Sequence, residues 1–347
     1  MPAAVLSVAL SYVWLPLAKI PAIVAALSLH GITGTVRGLG GLRIADQRVS
    51  MPETGTVVFA ACAVAVAMLL AWRHRALMAG GLALLAAAGV WVSVGVPRPH
   101  LQEGVLELTA LDVGQGDSLL VVSPEGKTLL VDAGGPSGGQ QSEFDFGENV
   151  VSPYLWERRI SRLDAVAITH GHSDHIGGMH AVLNNFRPRE LWVGALPETP
   201  AISALLTYAQ SLGIRVIRRN DNELFDFGGM QVSVFSPPQD WQTSGQPRNN
   251  DSLVLRLRYN DSSVLLEGDA ERVVEQRMAA THNLKSDLLK VAHHGSFTST
   301  SSEWIHAVQP RWAVISVWAR NTFGHPRMEI LERLQEEGAA TYRTDLN

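Results

Sequence analysis

Residues 170–175 read His170-Gly171-His172-Ser173-Asp174-His175, three imidazoles and a carboxylate within six positions. Imidazole nitrogen and carboxylate oxygen hold zinc or manganese while leaving a coordination position open for water. The apolar run 163–169 (LDAVAIT) reads as a strand, and Gly177-Gly178 follow the motif. A strand ending this way presents its ligands from one short loop. The chemistry such a loop supports is metal-dependent hydrolysis. The spacing assigns His170 and His172 to one ion, and Asp174 and His175 to a second.

Further ligands must come from elsewhere in the chain. Asp269 closes the strand-like run 263–267 and is placed to bridge both ions. Taken alone it would serve as N-cap of the helical stretch 271–280. The run 287–292 ends in His293-His294. At least one of this pair is expected to bind metal, His293 being the first choice. The other, His294, would orient substrate or act in catalysis. After a first strand at 106–111, Gly114 and Gly116 sit in a turn that also carries Gln115 and Asp117. Such a turn either lets backbone N–H groups approach an anion or is an ordinary tight turn. Asp132 closes the strand 127–132 and is expected to brace the metal loop by hydrogen bonding. His325, between Gly324 and Pro326, is either a surface residue or a proton donor that reaches the site.

These residues need a scaffold. The chain has 347 residues, room for two domains. Its net charge of -5 provides no global field for polyanions, so any nucleic-acid contact must be local. A single cysteine, Cys62, excludes an intrachain disulfide and a cysteine-rich zinc site. Two stretches, 57–72 and 76–96, carry no charge and flank Arg73-His74-Arg75. Each approaches the roughly 20 apolar residues that span a bilayer. Together they predict a hairpin of two spanning helices, with Gly80-Gly81 at the packing seam. Residues 3–29 read as a kinked span, or as a shorter helix plus a re-entrant piece. Residues 31–56, with Arg37, Arg43 and Arg48, suit an interfacial amphipathic segment. Arg73 and Arg75 put the hairpin turn inside. The loop arginines and Arg98 argue the reverse, so charge leaves the topology open.

Composition changes at Pro97-Arg98-Pro99. The boundary is therefore set at 98/99, with spanning helices before it and a hydrolase domain after it. In that domain strands are expected at 118–122, 190–193, 215–217, 231–235, 252–259 and 312–317, besides those above. Helices are expected at 149–160, 178–185, 201–212, 303–308 and 328–337. Loops are expected at 134–141 and 236–250. Hairpins followed by strand–helix alternation imply a layered α/β fold.

As a set, LDVGQGDS (111–118), LLVDAGG (129–135), FDFGENVVSPYL (144–155), ITHGHSDHIGG (168–178), NNDSLVLRL (249–257), LLEGDAE (265–271), LLKVAHHGSFTSTS (288–301) and FGHP (323–326) resemble the metallo-β-lactamase superfamily. More closely they resemble the C-terminal part of the ComEC family of DNA-uptake channel proteins, over residues 105–347. The resemblance implies an αββα sandwich preceded by transmembrane α-helices. It implies two divalent metal ions, zinc or manganese, and a phosphodiesterase that degrades the non-imported DNA strand. The alternatives are a non-catalytic channel or assembly module, or a hydrolase of another ester such as phosphocholine. Within the leading reading, Lys290, Ser296 and Thr298 contact phosphate. His325 or the non-ligand histidine of the pair protonates the leaving oxygen. Arg158, Arg159, Arg162, Arg215, Arg218 and Arg219 form either a local basic patch or a solvated surface.

Implied partners are transiently bound single-stranded DNA, the membrane, other competence-channel components and a second copy in a homo-oligomer. The implied location is the cytoplasmic membrane, multi-pass, with the hydrolase domain extracytoplasmic. Family members carry more spanning helices ahead of this region and a further strand after it, so the chain reads as a fragment. The superfamily also has a third histidine between the first motif and the bridging aspartate. No histidine occurs here between His180 and His282, although Asn250 and Asp251 lie in that interval. This predicts weaker binding of the ion at His170 and His172.

Overall fold

A computed structural model describes residues 2–40, 51–94, 99–137 and 144–346. By internal contact the chain divides into two compact units. One comprises Met1–Val49 and Ala60–Val94, the other Ser50–Phe59 and Gly95–Asn347. The expected boundary at 98/99 lies at the edge of the described residues, as does part of the loop expected at 134–141.

The first unit is helical. Helices α1 (Pro2–Ser11) and α2 (Leu15–Gly40) are followed by α3 (Thr54–Arg73) and α4 (Arg75–Val94). The chain breaks between α1 and α2 just ahead of Pro16, where a proline suits the start of a helix and not its interior. Ser7 Oγ donates to the Ala18 carbonyl at 2.9 Å and pins the two together. Helix α2 runs unbroken through Pro21 to Gly40, so residues 31–40 extend an apolar helix and are not a separate interfacial segment. The rest of the expected segment, 41–50, lies outside the described residues.

Among the described residues two helices are long and apolar enough to cross a membrane, Leu15–Leu39 and Thr54–Arg73. The second arm of the expected hairpin is shorter as an apolar helix, Leu77–Ser93 among the described residues. Its seam is nevertheless built from small residues. A Cβ on Gly81 would lie 3.1 Å from the Ala67 carbonyl oxygen, and Ala63, Ala67 and Ala88 are buried.

The second unit is a sandwich of two sheets. Strands β1 (Glu107–Ala110), β2 (Leu119–Val122), β3 (Thr128–Val131), β4 (Ala165–Ile168), β5 (Glu190–Val193) and β6 (Arg215–Arg218) lie in chain order. They are antiparallel up to β3 and parallel beyond it. The other sheet takes β7 (Leu224–Phe227), β8 (Met230–Ser236), β9 (Val254–Tyr259), β10 (Ser262–Leu266), β11 (Leu288–Lys290), β12 (Trp312–Ile315) and β13 (Ala340–Arg343). It is antiparallel from β7 to β10 and parallel from β10 to β13.

The strands are apolar throughout because both faces are covered. Leu119, Val121, Leu129, Val131 and Ala167 meet Val232, Leu255, Leu257 and Leu266 between the sheets. Their neighbours Leu120, Val122, Leu130, Val166 and Ile168 face helices α5 (Ser152–Glu157), α7 (Met179–Phe186) and α8 (Pro200–Ser211). The single turn α6 (Ser173–Ile176) follows β4. Helices α9 (Arg272–Thr281), α10 (Ser302–Val308) and α11 (Met328–Glu336) cover the second sheet. The result is the expected αββα order.

The helix expected over 149–160 begins as a π-turn, Gly147–Val151, before α5. Two strands, β7 and β13, were not anticipated. Parallel strands β3, β4, β10 and β11 all finish at one edge of the sandwich, and that edge gathers the motif residues.

The way into the first sheet is fixed by a two-pronged ion pair. Arg158 Nη1 and Nη2 lie 2.6 and 3.0 Å from the two Glu107 oxygens. The Arg158 hydrogen bond holds the Glu107 carboxyl below its ordinary value, against the opposing effect of burial. A carboxyl lowered in the fold stabilises it above the unfolded-state value and loses that contribution as pH falls through the folded one. A double-mutant cycle with Glu107→Gln and Arg158→Met is expected to give a coupling of about 1 kcal/mol at neutral pH. That coupling should fade as pH falls through the lowered Glu107 value, below the ordinary glutamate range. Urea titrations at neutral and acid pH check it.

Candidate metal centre

Each strand end contributes one piece. After β4 the chain places His170, then enters α6 with Asp174 and His175. After β10, Gly268 turns in the left-handed region (φ 56°) and delivers Asp269. The N-cap of α9 is Glu271, so Asp269 is not consumed by capping. After β11, His293 and His294 are both left-handed, at φ 49° and 55°. Two such non-glycine residues in a row store strain of roughly 1–3 kcal/mol each.

Ligand-capable atoms of His170, His175 and Asp269 lie within 4.8 Å of one another, and so do those of Asp174, His175 and His294. His175 belongs to both groups. Its Nε2 is 3.3 Å from Asp269 Oδ2, and that oxygen is 3.9 Å from His170 Nε2 and 3.8 Å from His294 Nε2. His172 Nδ1 is 2.9 Å from His170 Nε2, so these two nitrogens converge as well. The grouping nevertheless differs from the pairing expected from spacing, because the α6 turn swings His175 to the middle.

Braces behind the ligands orient them. Asp132 accepts from the Thr169 backbone N–H at 2.8 Å, from Thr169 Oγ1 at 2.6 Å and from His175 Nδ1 at 2.8 Å. The Ser316 carbonyl accepts from His294 Nδ1 at 3.0 Å. Both bonds leave Nε2 as the free nitrogen, the arrangement that suits a metal ligand. The carboxylates of Asp269 and Asp132 overcome burial and raise His175 well above its usual value. Asp269 is buried too, yet the charges of His175 and His294 hold its carboxyl well below the usual range.

The donor set fits divalent ions. Among the described residues His175 Nε2, His294 Nε2 and Asp269 Oδ1 are buried without a hydrogen-bond partner. Such atoms are costly unless something binds them. Nitrogen and oxygen donors around one buried carboxylate are the set that zinc and manganese take.

Several expected roles change. His293 and His294 exchange places. The consecutive left-handed residues aim His294 inward, 2 % exposed, and leave His293 at the mouth, 25 % exposed. There His293 Nδ1 meets Thr298 Oγ1 at 3.2 Å and Asn249 Nδ2 at 3.4 Å. Lys290 and Asp117 face each other and not a substrate. Both are buried, with Nζ 2.8 and 2.9 Å from the two carboxylate oxygens. Ser296 is buried beside Thr298, the hydroxyls 3.1 Å apart. His325 sits at the rim, 5.9 Å ring to ring from His293. Burial and the charges of His293 and His294 lower it to about 4. A ring that is neutral at pH 7 is a poor source of the proton expected from it. Gln115 does line the mouth, its Oε1 accepting from the Trp318 backbone at 3.3 Å.

That mouth is a cavity of about 410 Å³ bounded also by Asn249 and Phe323, which spacing did not single out. The turn Asn249–Asp251 occupies the chain interval where a third histidine would lie.

Glycines let the backbones under the loop touch. A Cβ on Gly116 would overlap the Asp174 carbonyl, and one on Gly135 the Ser173 carbonyl. Gly116 therefore serves close packing and not anion approach. Gly116→Ala is expected to destabilise the fold by about 1–3 kcal/mol and to weaken metal binding by displacing Asp174. Thermal unfolding and metal titration of the variant check both effects.

The metallo-β-lactamase superfamily model matches residues 111–319. ComE operon protein 3 of Bacillus subtilis is 34 % identical over 252 residues, 70 % of this chain and 32 % of its own length. Competence protein ComA of Neisseria gonorrhoeae is 27 % identical over 253 residues, 72 % of this chain and 33 % of its own. Protein YcaI of Escherichia coli is 28 % identical over 341 residues, 92 % of this chain and 41 % of its own. The chain thus spans 28 to 41 % of the length of the curated relatives it matches.

Proposed function

Since the chain belongs to the metallo-β-lactamase superfamily, we propose that it is a membrane-tethered, divalent-metal-dependent phosphodiesterase of DNA uptake, acting on the strand that is not imported. The observation that carries this reading is the convergence of buried ligand-capable side chains, with Asp269 Oδ2 lying 3.3 Å from His175 Nε2 and 3.8 Å from His294 Nε2. His170, His172 and Asp174 complete the ligand set. Divalent ions there would polarise a phosphoryl oxygen and lower the pKa of bound water.

The chain's own groups do the rest. Asp132 and the Ser316 carbonyl hold two imidazoles in one tautomer. His293 and Gln115 line the approach and position the scissile group, with Thr298 Oγ1 3.2 Å from His293 Nδ1. Similarity to a competence protein supports DNA as substrate and the competence channel as setting. The helices Leu15–Leu39 and Thr54–Arg73 support tethering in a membrane.

The test is cleavage of single-stranded DNA by the full chain in detergent. Activity should be lost on chelation and return with manganese or zinc. Metal retention without cleavage would instead favour a channel or assembly module. Cleavage of a phosphocholine ester but not of DNA would favour another hydrolase.

A further inference from the structure

A second cavity, of about 550 Å³, lies on the other side of the second sheet from the inter-sheet core. Arg256 and Arg258 of β9 share the face of Val254, which packs under α9, whereas Leu255 and Leu257 point between the sheets. Lys285 and Arg311 join them around the opening. Arg258 pairs in register with Ser263, at the start of β10. Asp269 follows the far end of that strand, about 20 Å away. The cavity is therefore separate from the metal centre.

Its charge is not balanced from within. Two carboxylates, Asp261 and Asp287, line it with the four cations. Asp287 Oδ2 is taken by Ser263, accepting from its N–H at 2.9 Å and its hydroxyl at 3.1 Å. Among the described residues none of the four cations is in an ion pair. In the expected patch four of the six arginines are paired among the described residues, Arg159 with Glu53 being one. Arg158 pairs with Glu107, and Arg215 and Arg219 pair with Glu190.

Arg256 donates to the Asn283 carbonyl at 2.6 Å, but its buried Nε has no partner. Burial and the charge of Arg258 lower its pKa, a stress that a bound anion relieves. Four cations spread around a cavity of this size suit several phosphates in a row better than one. Beside the cavity, the Arg311 guanidinium lies 4.7 Å over the ring of Trp312, a residue outside the cavity lining that is 38 % exposed. An exposed aromatic face beside arginine forks is how single strands are held without sequence preference.

We propose that this pocket binds the phosphate backbone of single-stranded nucleic acid. The inference does not depend on hydrolysis and is read without it.

The experiment uses the full chain in detergent with chelator present and a fluorescein-labelled oligothymidylate, followed by anisotropy. The triple variant Arg256→Gln/Arg258→Gln/Arg311→Gln is expected to bind at least about tenfold more weakly, with a salt slope shallower by about 2. Arg162→Gln/Arg187→Gln/Arg218→Gln, which removes equal charge elsewhere, should bind as the parent does. If the first triple variant fails to fold, Arg258→Glu alone, at an exposed position, should weaken binding several-fold. Equal loss in the control variant, or no binding by the parent, overturns the proposal. So does capture of phosphatidylglycerol vesicles through these arginines when the oligonucleotide is ignored.

Discussion

Asp269→Asn is expected to lower the metal-dependent hydrolysis proposed for this chain on the order of 10³-fold while leaving the fold intact. The substitution keeps size and shape and removes one charge. That charge is the common neighbour of His170, His175 and His294, at 3.9, 3.3 and 3.8 Å. An amide in its place presents one weaker acceptor and an NH₂ that faces imidazole nitrogens. Metal affinity should therefore fall with activity. An unchanged rate with unchanged metal content would remove Asp269 from the site. Circular dichroism and thermal unfolding, run beside the assay, separate this from misfolding.

Asp117→Ala is expected to have the largest effect on stability, a loss of about 3–5 kcal/mol. The reason is what it leaves behind. Lys290 is fully buried, and besides Asp117 its Nζ meets the Val291 carbonyl at 3.0 Å. Without Asp117 a buried ammonium loses the carboxylate it touches. The reverse change, Lys290→Met, should cost less, because Asp117 still has His294 Nδ1 3.7 Å away. The double variant Asp117→Leu/Lys290→Met should recover much of the loss, since replacing both partners removes the buried charges together. Urea denaturation of the three variants measures the order. Equal losses in both single variants would show that the asymmetry argued from His294 is absent.

Much of this site was readable before the fold was known, because its pieces sit at strand ends with distinctive residue types. The motif at 170–175, Asp269 and the histidine pair stand out for that reason. What spacing could not show was direction. Which of His293 and His294 turns inward depends on a backbone held left-handed by its surroundings, and residue type carries no trace of that. Lys290 was misjudged for a similar reason. A lysine beside a site reads as a phosphate contact, and only packing reveals its buried partner 173 positions away.

In the fold, β7 was missed although Gly228-Gly229 between Phe227 and Met230 is a hairpin signal. Its four residues, LFDF, are too short to show a period. Strand β13 follows Gly338 and is equally short, and its pairing with β12 is set by the sheet and not by its own sequence. The π-turn at Gly147–Val151 follows from contact as well, because a Cβ on Gly147 would overlap the Gly178 carbonyl.

The most direct test is the metal content of the detergent-purified chain after loading with manganese or zinc and dialysis, compared with His175→Ala. His175 is the one residue shared by both ligand groups. The expected result is two ions per parent chain and loss of both in the variant. A parent chain that retains no metal, or a His175→Ala variant that retains the full complement, would contradict a two-metal centre built around His175.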